Sequence, residues 1–217
     1  MSPVELLKYL WRGGKAGHLW RKADKRTLWL DADNPVIPPE WAEGTDIYFG
    51  VNPTYLKGHR AERSTIETIA AVNCLFTDQD DRPLPAGIPA PNLTIVTSPG
   101  RTQPIWLLQE PVLLDAIDDT ARLQMVQTLK DWVHYANGDP NAADLARLLR
   151  LPGTLNSKIT PHPVAKLTNS RSIGHADLSE AQAWVAEQQF EVDLRSPDLL
   201  VVTESARILS SHFTQSE

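Results

Sequence analysis

The chain has 217 residues, of which 41% are hydrophobic, and its formal net charge is −6. This length can form one large domain or two smaller lobes with a buried core, and no apolar run is long enough to predict a membrane span. The single cysteine, Cys74, excludes an internal disulfide and a cysteine-based zinc cluster. The amphipathic N-terminus lacks the apolar core of a secretory signal, so we expect a soluble, cytoplasmic protein.

The negative charge is concentrated at the C-terminal end. Residues 173–217 contain eight acidic and two basic residues, which account for the whole excess, whereas residues 1–172 contain 19 of each sign. We therefore predict a folded domain over residues 1–172, followed by an acidic, mainly helical segment over residues 173–217. A neutral main domain remains compatible with a nucleic-acid partner in spite of the net charge.

The first half of the chain begins with a helix, because Ser2-Pro3-Val4-Glu5 is a capping box with proline at the first helical position. Gly13-Gly14 is predicted to end this helix. The elements expected after it are strands over 17–22 and 26–31, a loop over 36–44, a strand within 45–53, a helix over 61–70 and a buried strand over 72–76.

The second half opens with a proline-rich connector over 81–92. Two strands, 93–98 and 104–110, are predicted to form a hairpin. A helix over 118–135 follows, because apolar residues recur at helical spacing: Leu123, Val126, Leu129, Val133 and Ala136. We then expect a short helix over 142–149, a loop over 151–158, a strand over 163–168 and a capped helix from residue 177.

These elements do not alternate regularly between strand and helix, which favours the α+β (mixed α/β) class. A dinucleotide-binding domain would need a glycine-rich turn after its first strand, and the sequence has none.

Two aspartates follow the buried strand 72–76 in the sequence VNCLFTDQD. Side chains on a strand alternate, so Asp78 and Asp80 are expected on one face and Gln79 on the other. Two buried like charges repel, and a cation between them would relieve that repulsion. The alternative is a pair of ion-paired or turn carboxylates. That alternative is favoured for the second such pair, Asp31 and Asp33, which runs into an Asn-Pro turn.

A third carboxylate, Asp144, lies in the sequence NAADLARLLRLPGTLNSK, with Arg147 and Arg150 after it. It is a candidate metal ligand next to phosphate-pairing guanidinium groups, although an ordinary salt bridge between Asp144 and Arg147 is the simpler interpretation. The turn Ser98-Pro99-Gly100-Arg101 offers a hydroxyl, free N–H groups and a guanidinium, which suit phosphate binding. It is also a common kind of hairpin turn.

Taken in order, these motifs resemble the archaeo-eukaryotic primase superfamily, in particular the primase-polymerase domains of plasmid, phage and other mobile-element replication proteins. The motifs are the strand with Asp-x-Asp, then Ser-x-Gly-Arg with Trp106 downstream, then Asp-x-x-Arg-x-x-Arg-Leu-Pro-Gly-Thr-x-Asn-x-Lys. The resemblance covers about residues 48–158. It implies a two-lobed primase-polymerase core with an RRM-like sheet and a catalytic cleft.

The resemblance also implies roles for individual residues. Asp78, Asp80 and Asp144 would be catalytic and would hold two divalent ions, Mg²⁺ or Mn²⁺. The incoming nucleotide would be bound by Ser98, Gly100, Arg101, Gln103, Arg150 and Lys158. Many members carry histidine where this chain has Gln103, which predicts weaker phosphate binding because glutamine carries no charge.

The predicted function is that of a DNA primase or DNA-directed polymerase, which would use a single-stranded DNA template, a primer and NTP or dNTP, together with a fused or separate helicase. Two other functions are compatible with the same residues. One is a metal-dependent nuclease that uses these carboxylates. The other is a non-catalytic, RRM-like nucleic-acid-binding module with exposed aromatic residues, for which Trp20, Trp29 and Trp106 are candidates. A rolling-circle nickase is disfavoured, because the sequence has no His-x-His pair.

Overall fold

The computed structural model describes residues 1–58, 62–114, 119–158 and 166–169. All of them belong to one compact unit, Met1–Ala181. The predicted boundary after residue 172 and the predicted helix from residue 177 lie outside the described residues, and both stay predictions. In the part of the chain that is described, no helix is long and apolar enough to cross a membrane.

The described residues form three α-helices and nine strands. The helices are α1 (Pro3–Leu10), α2 (Pro39–Ala42) and α3 (Asp119–Tyr135). The strands are β1 (Ala16–Arg21), β2 (Arg26–Asp31), β3 (Ile47–Gly50), β4 (Ala71–Phe76), β5 (Gln79–Asp80), β6 (Leu93–Ser98), β7 (Arg101–Leu113), β8 (Leu148–Arg150) and β9 (Lys166–Asn169).

The first helix begins as predicted. The Ser2 hydroxyl accepts a hydrogen bond from the Glu5 amide at 3.2 Å, and the Glu5 carboxylate accepts one from the Ser2 amide at 2.6 Å. These two bonds satisfy donors that a helix N-terminus otherwise leaves free. The apolar side of α1 is buried through Leu6, Leu7 and Leu10.

Two antiparallel sheets make up the fold, which confirms the α+β class. The first sheet has the order β2-β1-β3-β8, and the second has the order β4-β7-β6-β9, with β5 also paired to β7. The predicted strands 17–22 and 26–31 pair as β1 and β2, and the predicted hairpin 93–110 is present as β6–β7. All six residues of β4 are buried, as its apolar sequence predicts.

Helix α3 packs its buried side against the second sheet. Leu129, Val133 and Ala136 are buried as predicted, but Leu123 is 67% exposed, because Met125 and Trp132 occupy the inward positions instead. The Trp132 ring meets Trp106 of β7 edge-to-face, with 4.9 Å between ring centroids. Such pairs contribute stability beyond the area that they bury.

Two predicted helices are wrong. Residues 61–70 were expected to be helical, but within their described part only a 3₁₀ turn forms, Ile66–Thr68. The β-branched residues around it have low helix propensity and lead into β4 in an extended conformation. The predicted helix 142–149 is also absent: a 3₁₀ turn, Pro140–Ala142, is followed by β8, which pairs with β3.

A predicted loop contains a helical turn, and a predicted edge strand is present over its described residues. The predicted loop 36–44 contains the single helical turn α2, which begins at a proline, where the missing N–H has no cost. The predicted strand 163–168 corresponds to β9, which pairs with β6. Residues 163–165 lie outside the described ranges.

Candidate functional site

The two aspartates after β4 are held in place by backbone pairing on both sides. The Thr77 amide donates to the Pro104 carbonyl at 3.2 Å, and the Asp139 amide donates to the Asp78 carbonyl at 3.0 Å. Asp80 then lies opposite Arg101 in the β5–β7 register. This segment is therefore held by backbone hydrogen bonds to β7 on one side and to the chain that follows α3 on the other.

The side chains of this segment alternate as predicted. Gln79 points inward, is 2% exposed and donates to the Ala136 carbonyl at 2.5 Å. The side chains of Asp78 and Asp80 are 26% and 57% exposed. Both carboxylates are thus accessible, whereas the residue between them anchors the segment to the end of α3.

Among the described residues, the carboxylate of Asp78 has only distant partners. Its Oδ2 atom accepts long hydrogen bonds, both at 3.5 Å, from Gln103 Nε2 and Arg147 Nη2. Burial raises the pKa of Asp78, and the nearby charge of Asp80 raises it further, against the opposing effects of Arg147 and Gln103. Additional positive charge at this point would therefore stabilise the ionised form.

Arg147 lies between Asp78 and Asp144. Its guanidinium is 3.5 Å from the Asp78 carboxylate and 3.9 Å from the Asp144 carboxylate, and Nη1 donates to the Asn141 carbonyl at 3.0 Å. Burial raises the pKa of Asp144, and Arg147 opposes that shift. Asp144 thus reaches the site from a loop rather than from the predicted helix, and it shares one guanidinium with Asp78.

The predicted phosphate-binding turn adjoins these carboxylates. Gly100 has φ +72°, its carbonyl accepts a hydrogen bond from the Asp81 amide at 2.9 Å, and a Cβ atom there would collide with the Asp81 carboxylate. Arg101 Nε is 3.4 Å from Asp80, with the arginine side chain 42% exposed. The hydroxyl of Ser98 is buried and has no hydrogen-bond partner among the described residues. The turn therefore lies directly beside Asp80 and Asp81.

Arg150 has a structural environment that the sequence does not predict. Its Nη1 forms a buried ion pair with Asp46 at 2.9 Å, its Nη2 donates to the Tyr48 hydroxyl at 2.9 Å, and its side chain is 4% exposed. Burial disfavours ionisation of Asp46, but hydrogen bonds from Ser157 and the Arg150 charge hold the pKa of Asp46 below its ordinary value. A guanidinium engaged in this way is unavailable to a nucleotide, which disfavours the predicted role of Arg150 in triphosphate binding.

Gln103 and the loop after β8 join the two sheets at the site. The backbone amide of Arg150 donates to Gln103 Oε1 at 3.0 Å, so Gln103 connects β8 to Asp78. Asn156 donates to the Thr97 carbonyl at 2.9 Å, beside Ser98. Lys158 follows two residues later and is exposed, and its backbone amide donates to the Asn156 side chain at 3.1 Å.

These donors fit a divalent cation in kind, because Mg²⁺ and Mn²⁺ prefer carboxylate oxygens. In residues 1–58, 62–114, 119–158 and 166–169, however, no group of three or more His, Cys, Asp or Glu side chains has a metal-binding arrangement. Arg147 separates Asp144 from Asp78. The charges of Asp78 and Asp80 repel each other, and a cation would relieve that repulsion. Asp144 could join them only if Arg147 moved.

The other candidates from the sequence have different environments. Asp31 accepts hydrogen bonds from the amides of Asp33 and Asn34, so it stabilises a turn, as expected. Trp106 is 1% exposed and packs in the core, which removes it as a binding residue. Trp20 and Trp29 are half-buried on one face of the first sheet.

The sequence gives no local signal for two features of the site. The ion pair of Asp46 with Arg150 joins residues 104 positions apart, and the contact of Arg147 with Asp78 joins residues 69 positions apart. Both depend on the pairing of β8 with β3. The sequence prediction missed this pairing because it placed a helix over residues 142–149.

Comparison with known proteins identifies the fold. No family model matches the sequence, and no curated protein matches it. Among solved structures, the chain is similar to the AEP domain of the cyanophage S-2L primase-polymerase, with TM-score 0.56 and 16% identity over 83% of this chain and 92% of that one. The primase-polymerase fold predicted from the sequence motifs is thereby confirmed.

Two further solved structures are similar at lower scores. The primase RepB′ has TM-score 0.49 and 17% identity, over 97% of this chain and 69% of that one. The catalytic domain of primase RepB′ in complex with initiator DNA has TM-score 0.47 and 16% identity, over 90% of this chain and 100% of that one.

Proposed function

We propose that this chain is a primase-polymerase, a nucleotidyltransferase that synthesises or extends a strand on a single-stranded DNA template. The observation that carries the proposal is the junction of Asp78 and Asp80 with the Ser98–Arg101 turn at the β5–β7 pairing. Acidic ligands for a cation and cationic donors for phosphates lie side by side there. The likeness of fold to an AEP domain supports the same assignment.

In the proposed reaction, the 3′-hydroxyl oxygen of the growing strand attacks the α-phosphorus of a nucleoside triphosphate. A new P–O bond forms, the bond to pyrophosphate breaks, and the hydroxyl proton passes to solvent. Divalent ions, when bound, would lower the pKa of the hydroxyl and neutralise charge on the phosphates. Asp78 and Asp80 would hold such ions, joined by Asp144 once Arg147 has moved.

The remaining residues of the site would bind and orient the triphosphate. Arg101 is half-exposed and needs only to leave a long ion pair with Asp80 to contact a phosphate. The Ser98 hydroxyl and the amides of the turn supply neutral donors, and Lys158 supplies a second cation. Gln103 instead orients Asp78, since its amide connects that carboxylate to β8.

The proposed partners follow from this chemistry. They are a single-stranded DNA template, a primer and NTP or dNTP, with Mg²⁺ or Mn²⁺ as cofactor. We propose replication of a plasmid, phage or other mobile element as the setting, with a helicase in the same or a separate chain.

A metal-dependent nuclease is the second candidate from the same carboxylates. It gives no role to Arg101 or to the buried hydroxyl of Ser98, which has no hydrogen-bond partner in the part of the chain that the structure describes. It also predicts cleavage of DNA in the absence of any nucleotide.

Incubation with single-stranded DNA, labelled nucleotides and Mg²⁺ or Mn²⁺ tests the proposal. We expect new labelled chains that require both the template and the nucleotide. Shortened DNA without nucleotide would support the nuclease, and DNA binding without either reaction would support a binding module.

A further inference from the structure

One face of the first sheet carries large aromatic side chains in neighbouring strands. The register pairs His18 with Trp29 across β1 and β2, and Trp20 with Tyr48 across β1 and β3. The ring centroids of His18 and Trp29 are 4.8 Å apart, and those of Trp20 and Tyr48 are 5.7 Å apart. His18 is completely buried, so we call Trp20, Trp29 and Tyr48 the aromatic stripe.

The two faces of this sheet differ in burial. The opposite face is closed over the core, with Leu19, Phe49 and Leu149 completely buried. On the stripe face, Trp20, Trp29 and Tyr48 all remain partly exposed, although each could bury a large apolar area. Neighbouring aromatic rings that stay half-buried on an otherwise well-packed sheet are typical of a surface that a partner covers.

Cationic side chains lie along the same stripe. The Arg63 guanidinium is 5.4 Å from the Trp20 ring centroid. At the β2 edge, Trp29 lines a pocket together with Arg26 and Lys57, and Glu40 is the single acidic residue in its lining. These cations suit a partner that presents alternating planar rings and negative charges.

The stripe is continuous with the candidate active site. Tyr48 pairs with Arg150 in the β3–β8 register, and the Arg150 guanidinium lies 4.7 Å from the centroid of the Tyr48 ring. The Arg150 amide donates to Gln103 Oε1, and Gln103 Nε2 donates to the Asp78 carboxylate. A ligand lying on the stripe would therefore end next to Asp78.

We propose that the aromatic stripe binds the unpaired bases of single-stranded DNA by stacking and leads the strand from the β2 edge to the carboxylates. Every base has a flat π-face, so stacking on tryptophan and tyrosine accepts any sequence. Paired bases cannot stack on a protein surface in this way, so duplex DNA is not the partner. The inference rests on the proposed function, since it assigns the template strand a path.

The test uses Trp20→Leu, Trp29→Leu and the double variant, with Tyr55→Leu as the matched control. Tyr55 is an exposed aromatic residue outside the stripe. Fluorescence anisotropy with labelled oligo(dT), without nucleotide or metal ions, gives the Kd for each protein. Circular dichroism and thermal unfolding establish that each variant is folded, and Trp20→Phe tests whether an aromatic ring alone restores binding.

We expect each leucine variant to raise the Kd for oligo(dT) about 10-fold, the double variant more, and the control to leave it unchanged. Trp20→Phe should recover most of the loss, and duplex DNA should bind weakly to all proteins. Unchanged Kd values for both single variants and the double variant would overturn the inference, as would equal affinity for duplex DNA or a wild-type protein that does not bind oligo(dT).

A synthesis assay on the same proteins separates this inference from the proposed function. If the wild type makes new chains and the stripe variants bind oligo(dT) normally, the path is wrong and the function stands. If the stripe variants lose binding but the wild type makes no chains, the path stands and the polymerase proposal fails.

Discussion

Arg147, which lies between the carboxylates of Asp78 and Asp144, determines whether these carboxylates are free to bind a metal ion. Arg147 Nη2 is 3.5 Å from Asp78 and Nη1 is 3.9 Å from Asp144, so it provides positive charge where a divalent ion would bridge these residues. In the absence of metal, the Arg147 guanidinium therefore holds Asp78 and Asp144 together. A bound ion must then displace the guanidinium, which is free to pair with a phosphate instead.

Arg147→Gln should therefore tighten Mn²⁺ binding in the absence of nucleotide. We expect a Kd about 10-fold lower, because one unit charge a few ångströms away is worth roughly 1–2 kcal/mol at a partly solvated site. Electron paramagnetic resonance of free Mn²⁺ measures this affinity directly. Arg21→Gln, which removes an arginine paired with Asp24 elsewhere, should have no effect. An equal or weaker affinity in Arg147→Gln would show that Arg147 does not compete with the metal.

Arg101 should act on the nucleotide rather than on the fold. Its guanidinium is half-exposed and makes only a long contact with Asp80, so Arg101→Ala should leave thermal stability nearly unchanged. We expect the KM for nucleotide to rise about 10-fold and kcat to fall by a similar factor, since its contact strengthens as charge develops on the phosphates. Steady-state kinetics would measure both, with Lys130→Ala on α3 as control. Unchanged kinetics for every nucleotide would remove the turn from the site.

At the scale of elements, the β6–β7 turn is held by a backbone conformation as well as by hydrogen bonds. Gly100 and Gly87 both have positive φ, but only Gly100 faces a close neighbour, the Asp81 carboxylate. Gly87→Ala should lower the free energy of unfolding by about 1 kcal/mol from backbone strain alone. Gly100→Ala should cost about 1–3 kcal/mol more, because the added methyl group must displace Asp81.

Urea unfolding of these two glycine variants gives the comparison. Nucleotide binding should weaken in Gly100→Ala and remain normal in Gly87→Ala. Equal losses of stability in the two variants would show that the contact with Asp81 is not required for the turn.

The first sheet contains a buried titratable group, His18. Burial, and secondly the charge of Arg63, lower its pKa from 6.5 to about 4. The unfolded chain therefore binds a proton at His18 at a higher pH than the folded protein does. The contribution of His18 to the free energy of unfolding is fully present above the unfolded pKa of 6.5 and is lost as the pH falls toward 4. The loss should be about 1.4 kcal/mol per pH unit between these two values.

Urea unfolding at pH values across this interval, for the wild type and for His18→Leu, measures that contribution. The wild type should lose stability on acidification more steeply than the variant. Parallel curves for the two proteins would show that His18 is accessible to protons in the folded state.

A helix or strand could be predicted from the sequence where neighbouring residues alone determine it. The capping box of α1, the apolar run of β4 and the β6–β7 hairpin are local signals, and all three elements form as predicted. Strand β8 is different, because Leu148, Leu149 and Arg150 favour a helix by propensity. Pairing with β3 overrides that preference, and a single sequence does not contain the information.

For the whole molecule, the sequence motifs led to the primase-polymerase fold and to the carboxylates and turn that meet at the β5–β7 pairing. They did not reveal how the two sheets are connected. Gln103 hydrogen-bonds both Asp78 of one sheet and the Arg150 backbone of the other, and Arg150 is fixed by Asp46. These contacts join residues far apart in the chain, so only the folded structure assigns Arg150 to the buried interior and Arg147 to the site.

Primer synthesis by Asp78→Ala, compared with the Asp31→Ala/Asp33→Ala double variant, tests the central claim most directly. Both proteins lose acidic side chains, but only Asp78 lies beside Asp80, Gln103 and Arg147. On single-stranded DNA with labelled nucleotides and Mg²⁺ or Mn²⁺, we expect Asp78→Ala to lose activity about 1,000-fold or more. The double variant should stay close to the wild type, and both should remain folded by circular dichroism. Normal synthesis by a folded Asp78→Ala protein, or loss of synthesis only in the double variant, would contradict the proposed site.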